Sequence, residues 1–178
     1  MKNLNLDLLL RPAFSLRAWF CLHLVSIATP IYCSLLKFRK PAWGHTVQTL
    51  RALPAGTLGH EVGEFLYGNN MRLQPHAEEH DVFHVLLRYP PTVIGEASMQ
   101  FALLGNGRRS LFVWTSVLLG WILFPEYHST FRQDYRDGQQ CRPFSRWRFQ
   151  HLLLQDTTEL RNFIFRRKNL PEVNEKFV

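Results

Sequence analysis

Two histidines one helical turn apart and a carboxylate at a fixed distance predict a metal site. His80 and His84 share one face if this segment is helical, because residues i and i+4 lie one turn apart. Asp81 lies at the edge of that face, and Glu96 follows His84 after eleven intervening residues. Two imidazoles with one or two carboxylates form a mixed nitrogen and oxygen ligand set, which suits Zn²⁺, Fe²⁺, Co²⁺ or Mn²⁺.

The number of ligands decides the chemistry. Two histidines and one carboxylate resemble the facial triad of non-haem iron, which leaves coordination positions open for substrate. A histidine pair on a helix also occurs as two ordinary polar surface residues, and that alternative stays open. A second motif overlaps the first, because His76, Glu79 and His80 match the H-x-x-E-H pattern of inverted zinc proteases. In that hypothesis Glu79 is the general base.

The elements that must position these residues are predicted to be helices. No period-2 stretch bounded by turns is present, so we expect an all-α chain. Helices are predicted over residues 43–53, 58–67, 75–89, 92–104, 111–124, 126–136 and 144–154, and from Asp156 to about 165. The expected fold is a single-domain helical bundle of about seven to nine helices, with the metal site on a central helix pair.

Local signals predict where several of these helices begin and end. Thr57 is a predicted N-cap, and Asp156 with Glu159 forms a predicted capping pair. Pro75 suits the first position of the helix that carries the histidines. The pair Pro90 and Pro91 ends that helix, so a hairpin can bring Glu96 back to the histidines.

Composition predicts one globular domain over residues 1–178. The chain is 46% apolar and 13% aromatic, which is too apolar for a disordered protein. We divide it into an apolar, possibly membrane-associated region (1–40), a metal-binding core (41–168) and a tail (169–178). The uncharged run 18–36 could span a bilayer, lie in its interface or form a buried helix.

Charge and cysteine content narrow the classes of partner. The net charge is +7, and basic residues flank apolar runs, as Arg108 and Arg109 do before residues 111–124. An ordinary solvated basic surface would also account for the charge. Among specific partners, the pattern favours an anionic membrane surface over nucleic acid, for which no motif is present. Residues 111–124 are too few to span a membrane, so we expect a central helix or the wall of an apolar pocket. Three cysteines without a CxxC pair are typical of a reducing compartment.

The motifs together resemble the coenzyme Q biosynthesis protein 4 family of the ubiquinone pathway. The family signature is H-D-x-x-H, eleven residues, then a glutamate preceded by glycine. This chain has His80-Asp81-x-x-His84 and then Gly95-Glu96. The upstream turn Leu53-Pro54-x-Gly56-Thr57-x-Gly59 and the stretch Pro91-Thr92-Val93-Ile94 also look like the family's segments. The resemblance covers roughly residues 50–165.

The resemblance implies an all-helical fold in which His80, Asp81, His84 and Glu96 hold the metal, with no catalytic residue separable from these ligands. It implies oxidative decarboxylation at ring carbon 1 of a polyprenylated quinone precursor, whose tail would lie along segments 18–36 and 111–124. It also implies a homodimer that associates with other quinone biosynthesis proteins. The expected location is a peripheral one, on the cytoplasmic face in a bacterium or the matrix side of the mitochondrial inner membrane in a eukaryote.

Three positions depart from the family pattern and leave alternatives open. Gln100 replaces a usual lysine, Leu103 a usual glutamate and Arg88 a usual glycine. Gln100 shares a helical face with Glu96, so Gln100 and Arg88 are candidates for contacts around the metal or with substrate. Another prenyl lipid is therefore an alternative substrate. A non-catalytic lipid-binding scaffold with a structural metal is the alternative function.

Overall fold

The computed structural model describes residues 15–20, 23 and 42–166, and these residues form helices joined by short turns. Residues 15–20 are helical. The seven α-helices that follow are α1 (Val47–Arg51), α2 (Leu58–Gly68), α3 (Glu78–Leu87), α4 (Val93–Gly105), α5 (Leu111–Leu123), α6 (His128–Gln140) and α7 (Thr157–Phe165). Two 3₁₀ turns cover Pro125–Tyr127 and Phe149–Leu152. The described chain contains no strand, which confirms the all-α prediction.

Several predicted helix starts are confirmed because short polar side chains cap them. The Thr57 hydroxyl accepts the His60 N–H at the start of α2, and the Asp156 carboxylate accepts the Glu159 N–H at the start of α7. Thr92 accepts the Gly95 N–H at 3.1 Å, which starts α4 directly after the two prolines. Each cap satisfies a backbone donor that has no partner within the helix.

The helix that carries the histidines is shorter than predicted at both ends. Pro75 is not its first residue, because the Ala77 N–H closes a turn on the Gln74 carbonyl and α3 begins at Glu78. His76 has a φ of 67°, which an α-helix cannot contain. At the other end Arg88 adopts the left-handed conformation with a φ of 60° and ends the helix.

The left-handed Arg88 carries a stability cost that glycine would remove. Left-handed backbone brings the Cβ of an L-residue close to its own carbonyl oxygen, and glycine has no Cβ. We expect Arg88→Gly to raise the free energy of unfolding by about 1 kcal/mol, a shift in melting temperature of about 2–4 °C. Thermal denaturation measures the effect, with Arg148→Gly, at an exposed position whose φ is negative (−91°), as the control. A melting temperature that falls for Arg88→Gly would contradict this account.

Helix α6 continues past the predicted stop at Asp137-Gly138 and ends at Gln140. The glycine at this position serves a tertiary contact, since a Cβ at Gly138 would collide with the carbonyl of Ala102 on α4. Gly105 on α4 meets the Tyr135 carbonyl of α6 in the same way. The two glycines allow the α4 and α6 backbones to approach closely, so Gly138 is a packing residue within a helix and not a terminator.

We therefore expect Gly138→Ala to lower the free energy of unfolding by about 1–3 kcal/mol, because the added methyl must push α4 and α6 apart. Gly68→Ala is the matched control, as a Cβ at Gly68 meets nothing within 4 Å. Chemical denaturation of the two variants measures the difference. Equal stability of the two variants would show that α4 and α6 pack less closely than described.

Residues 144–154 were predicted as an amphipathic helix, and this is wrong. They form turns and the 3₁₀ segment Phe149–Leu152. In an α-helix, at about 100° per residue, Phe144 and Trp147 would share a face, but Phe149 would point about 140–160° away from both. The irregular path instead buries all three against Phe83 and the core around it.

Composition predicted that residues 111–124 form a central helix or the wall of an apolar pocket, and α5 is not a central helix. Val113 and Gly120 are its buried residues, while most of its large apolar side chains face solvent. In the described part of the chain no helix is both long and apolar enough to cross a membrane. Residues 1–13, most of 18–36 and the tail 169–178 lie outside the described residues. The predicted single domain and its division stay predictions.

Candidate metal centre

The α3–α4 hairpin brings His80, His84 and Glu96 to one point. The Nε2 atoms of the two histidines are 3.2 Å apart. Glu96 approaches His80 at 3.1 Å with one carboxylate oxygen and His84 at 2.9 Å with the other. The three ligand atoms lie within 4.8 Å of one another. One divalent ion between them could coordinate all three, so the predicted convergence of these residues is confirmed.

A hydrogen bond behind His84 fixes which ring nitrogen faces the centre. The Nδ1 atom of His84 lies 2.9 Å from the carbonyl of Tyr89, and a carbonyl can only accept, so we assign the proton to Nδ1. Nε2 then faces Glu96: without metal it carries a proton that it donates to the carboxylate, and an ion would take the place of that proton on the Nε2 lone pair. The left-handed Arg88 reverses the chain here and brings the Tyr89 carbonyl to the ring. Such a partner orients a metal-binding histidine.

Tyr89 is itself held in place from another helix. Its hydroxyl donates to the Oδ1 atom of Asp134 on α6 at 2.8 Å. Burial, reinforced by this carboxylate, raises the pKa of Tyr89 far above its ordinary value, so the phenol remains a donor. The orientation of His84 therefore depends on α6, although α6 supplies no ligand to the group.

Electrostatics keep Glu96 ionised. Burial alone would raise the pKa of Glu96, but hydrogen bonds from His80 and His84 and the charge on these rings lower it to about 2. For His84, burial lowers the pKa, but the hydrogen bond with Glu96, the charges of Glu96 and Asp81 and the bond to the Tyr89 carbonyl together raise it above the ordinary value. Without a metal, a proton on His84 supplies the positive charge that the Glu96 carboxylate favours. A metal ion must displace that proton to bind.

Asp81 lies beside this group but is not one of the three converging residues. Its side chain is buried, and its Oδ2 atom has no hydrogen-bond partner among the described residues. Burial raises the pKa of Asp81 to about 6, against the charges on His80 and His84. A buried carboxylate without a partner is costly unless a cation is near, so Asp81 fits a centre that holds a divalent ion.

The two other predicted residues differ in their positions. Gln100 is buried one turn after Glu96 on α4, and its Oε1 atom is unpartnered within the described chain. Arg88 is exposed at the end of α3. The pKa of the Arg161 guanidinium is lowered mainly by burial, and the positive charge of Arg88 lowers it further. Gln100 therefore remains a candidate neighbour of the centre, whereas the described contacts do not tie Arg88 to it.

The structure does not assemble the overlapping zinc-protease motif. His76 precedes α3 and lies outside the converging group, so His76 and His80 are not on successive turns of one helix. Glu79, the proposed general base, is paired with Arg108 at 3.1 Å. The geometry favours the H-D-x-x-H arrangement over H-x-x-E-H.

Two aromatic side chains that the sequence did not single out line the centre. Phe65 of α2 stacks on His84 with ring centroids 5.2 Å apart. Phe112 of α5 meets His80 edge-on at 6.2 Å. The side chains of His80 and Glu96 retain 28% and 33% of their exposure, so solvent or a ligand can reach the coordinating atoms. No local motif marks an aromatic residue for this role, since the contacts come from separate helices.

The fold and the centre define a class, an all-α protein with a His-His-Glu group on a helical hairpin. The chain is similar to the crystal structure of a candidate ubiquinone biosynthesis protein from Nostoc punctiforme PCC 73102. The two share 18% identity and a TM-score of 0.56, over 83% of this chain and 80% of that chain. At this identity the likeness shows the fold. No protein-family model matches the chain, and no curated protein matches it significantly.

Proposed function

We propose that the chain is a metal-dependent protein of ubiquinone biosynthesis that acts on the head group of a polyprenylated quinone precursor. The observation that carries the proposal is the convergence of His80, His84 and Glu96 within 4.8 Å at a partly exposed point of the hairpin. The structural likeness to a candidate ubiquinone biosynthesis protein supports the pathway. The reaction we propose is oxidative decarboxylation at ring carbon 1, in which the carboxylate leaves as CO₂, water supplies the new hydroxyl oxygen, and external O₂ takes up the two electrons and leaves as hydrogen peroxide.

The residues of the hairpin divide the work. His80, His84 and Glu96 would hold the ion, and Asp81 would add a fourth ligand or a neighbouring negative charge. When bound, a divalent ion such as Zn²⁺ or Fe²⁺ supplies a Lewis acid for the ring carboxylate or its neighbouring hydroxyl. Three protein ligands leave coordination positions for that substrate.

The surrounding side chains would select the head group. Phe65 and Phe112 offer apolar surfaces next to the two histidines, which suits an aromatic ring. The buried Gln100 supplies a neutral amide at a position where the family usually has a lysine. A lysine would attract a substrate carboxylate, whereas an amide can hydrogen-bond to a neutral polar group. We therefore propose Gln100 as the residue that contacts the polar group of the ring, and another prenylated aromatic remains an alternative substrate.

The alternative function is a non-catalytic, lipid-binding scaffold with a structural metal. The exposed apolar side chains of α5 favour it, since they offer a surface to a lipid or a partner. A closed four-ligand shell that includes Asp81 would fit the scaffold, and an open shell would fit the enzyme. The predicted homodimer and the association with other quinone biosynthesis proteins stay predictions.

Measuring ubiquinone production tests the enzymatic function against the alternative, a non-catalytic scaffold. A strain that depends on this chain for ubiquinone would receive the wild type, Glu96→Ala or Glu64→Ala, and its quinones and precursors would be measured by mass spectrometry. We expect Glu96→Ala to lose most of the quinone and accumulate a carboxylated precursor. Glu64, an exposed carboxylate on α2 paired with Arg51, is the matched control and should leave the quinone unchanged. Full quinone synthesis with Glu96→Ala would refute the enzyme.

A further inference from the structure

One face of α5 exposes large apolar side chains along its whole length. Leu111, Trp114, Leu118 and Ile122 are 62%, 51%, 59% and 62% exposed. Their spacing of three to four residues places them on one stripe of the helix. Val113 and Gly120 on the opposite side are buried, and Gly120 packs against Ala97 of α4. The helix is therefore fixed to the bundle by one side and presents the other outward. We call these four exposed residues the α5 face.

The N-terminal helical residues extend this apolar surface. Arg17 donates to the Leu123 carbonyl at 2.6 Å and pairs with Glu126 at 2.7 Å, which fixes residues 15–20 against the end of α5. Leu16, Trp19 and Phe20 are exposed on this segment, each by more than half. Apolar surface of this extent on a folded protein marks a site of contact with a lipid or another protein.

Charge decides between the two classes of occupant. Arg109 is exposed immediately before α5, and Arg132 is exposed near its other end, with its guanidinium 5.9 Å from the Trp121 ring centroid. α5 itself carries no charged residue, so cations stand at both ends of the α5 face. A second copy packed on the same face would bring these cations towards each other, whereas lipid phosphates would attract them.

We propose that the α5 face and residues 15–20 rest on an anionic lipid bilayer. The aliphatic side chains enter the acyl boundary, and Trp114 and Trp19 lie at headgroup depth, where indole rings are favoured. Arg109 and Arg132 contact lipid phosphates. The helix lies in the plane of the surface, since its 13 residues are too few to span a bilayer.

This placement also sets the metal centre beside the bilayer. Phe112 adjoins Leu111 on α5 and contacts the ring of His80, so one helix carries both a wall of the centre and the lipid-facing side chains. A polyprenyl substrate can then present its head group to the metal while its tail stays in the lipid. This step rests on the proposed function, while the docking surface does not.

Vesicle sedimentation tests the docking surface on the full chain. Vesicles of phosphatidylcholine alone and of phosphatidylcholine with 30% phosphatidylglycerol would be compared for the wild type, Leu118→Glu/Ile122→Glu and Leu154→Glu. Leu154 is 64% exposed outside the α5 face and outside residues 15–20, and so gives the matched control. We expect the wild type and the control to bind the anionic vesicles, and the double variant to bind at least tenfold more weakly. Arg109→Glu/Arg132→Glu should lose the preference for phosphatidylglycerol.

Two further measurements separate the outcomes. Circular dichroism melting shows that the variants remain folded, and light scattering gives the oligomeric state. Equal vesicle binding by the wild type and the double variant, or no binding by the wild type, would overturn the proposal. A wild-type dimer that the double variant converts to a monomer would overturn it in favour of a second copy. If Glu96→Ala supports full quinone synthesis while vesicle binding behaves as expected, the proposed function fails and the docking surface stands.

Discussion

Zinc at one hundred times its dissociation constant for the wild type should raise the free energy of unfolding of the wild type by about 2.7 kcal/mol and that of His84→Ala by less than about 0.4 kcal/mol. His84 is the most buried of the three converging residues, with no exposed side-chain surface. Its Nε2 atom faces both His80 and Glu96. Removing the His84 imidazole takes away one ligand and also the group that both His80 and Glu96 contact. We therefore expect zinc binding to weaken by more than about 100-fold.

The measurement is the zinc-induced shift in melting temperature, about 5–11 °C for a chain of this size. His84→Ala also loses stability because it leaves a cavity. Comparing the melting temperature of the same variant with and without zinc cancels this loss. His151→Ala is the control, because His151 is exposed and lies outside the converging group. The same zinc response in His84→Ala and His151→Ala would show that the ion binds elsewhere.

Asp81→Asn should make the metal-free protein more stable at pH 8, by up to about 3 kcal/mol. Burial raises the pKa of Asp81 from 3.8 to about 6 in the folded chain. The folded state therefore keeps a proton that the unfolded state releases at lower pH. Stability from this group is fully present below about pH 4, falls as the pH rises to about 6 and stays low above it. Asparagine cannot ionise, so the variant does not undergo this loss.

The same substitution should weaken zinc binding, because the cation no longer gains the neighbouring carboxylate. Denaturation of both proteins from pH 4 to 8, with and without zinc, gives both effects. Glu96 acts in the opposite direction, because its pKa is lowered in the folded chain. Its stabilisation is fully present above about pH 4.5 and is lost as the pH falls through 2. Both proteins contain Glu96, so the difference in stability between the wild type and Asp81→Asn removes this contribution. Asp137→Asn, at an exposed carboxylate, is the control. A variant less stable than the wild type at pH 8 without metal would show that Asp81 already has a compensating partner.

The sequence was informative wherever a short-range rule decides the outcome. His80 and His84 converge because of helical spacing, and the two prolines fold Glu96 back towards them. Thr57 and Asp156 start helices through bonds to backbone groups three residues away. Each of these features depends on a few neighbouring residues, so the pattern alone predicted it.

The features that sequence missed depend on contacts between distant segments. Gly138 lies within α6, where its missing side chain leaves room for the Ala102 carbonyl of another helix. Phe65 and Phe112 reach the histidines from α2 and α5, and neither stands in a recognisable motif. The apolar run of α5 predicted burial, and the structure leaves much of it exposed. Composition indicates that an apolar surface will pack against something. It does not show whether that is the rest of this chain, a lipid or another protein.

The most direct test of the central claim is anomalous diffraction from crystals of the zinc-loaded protein, recorded on both sides of the zinc absorption edge. We expect one strong peak in the α3–α4 hairpin, about 2.0–2.2 Å from the Nε2 atoms of His80 and His84 and from a carboxylate oxygen of Glu96. A peak bound instead by His76 and His80, or zinc-loaded crystals without a peak at the hairpin, would contradict it.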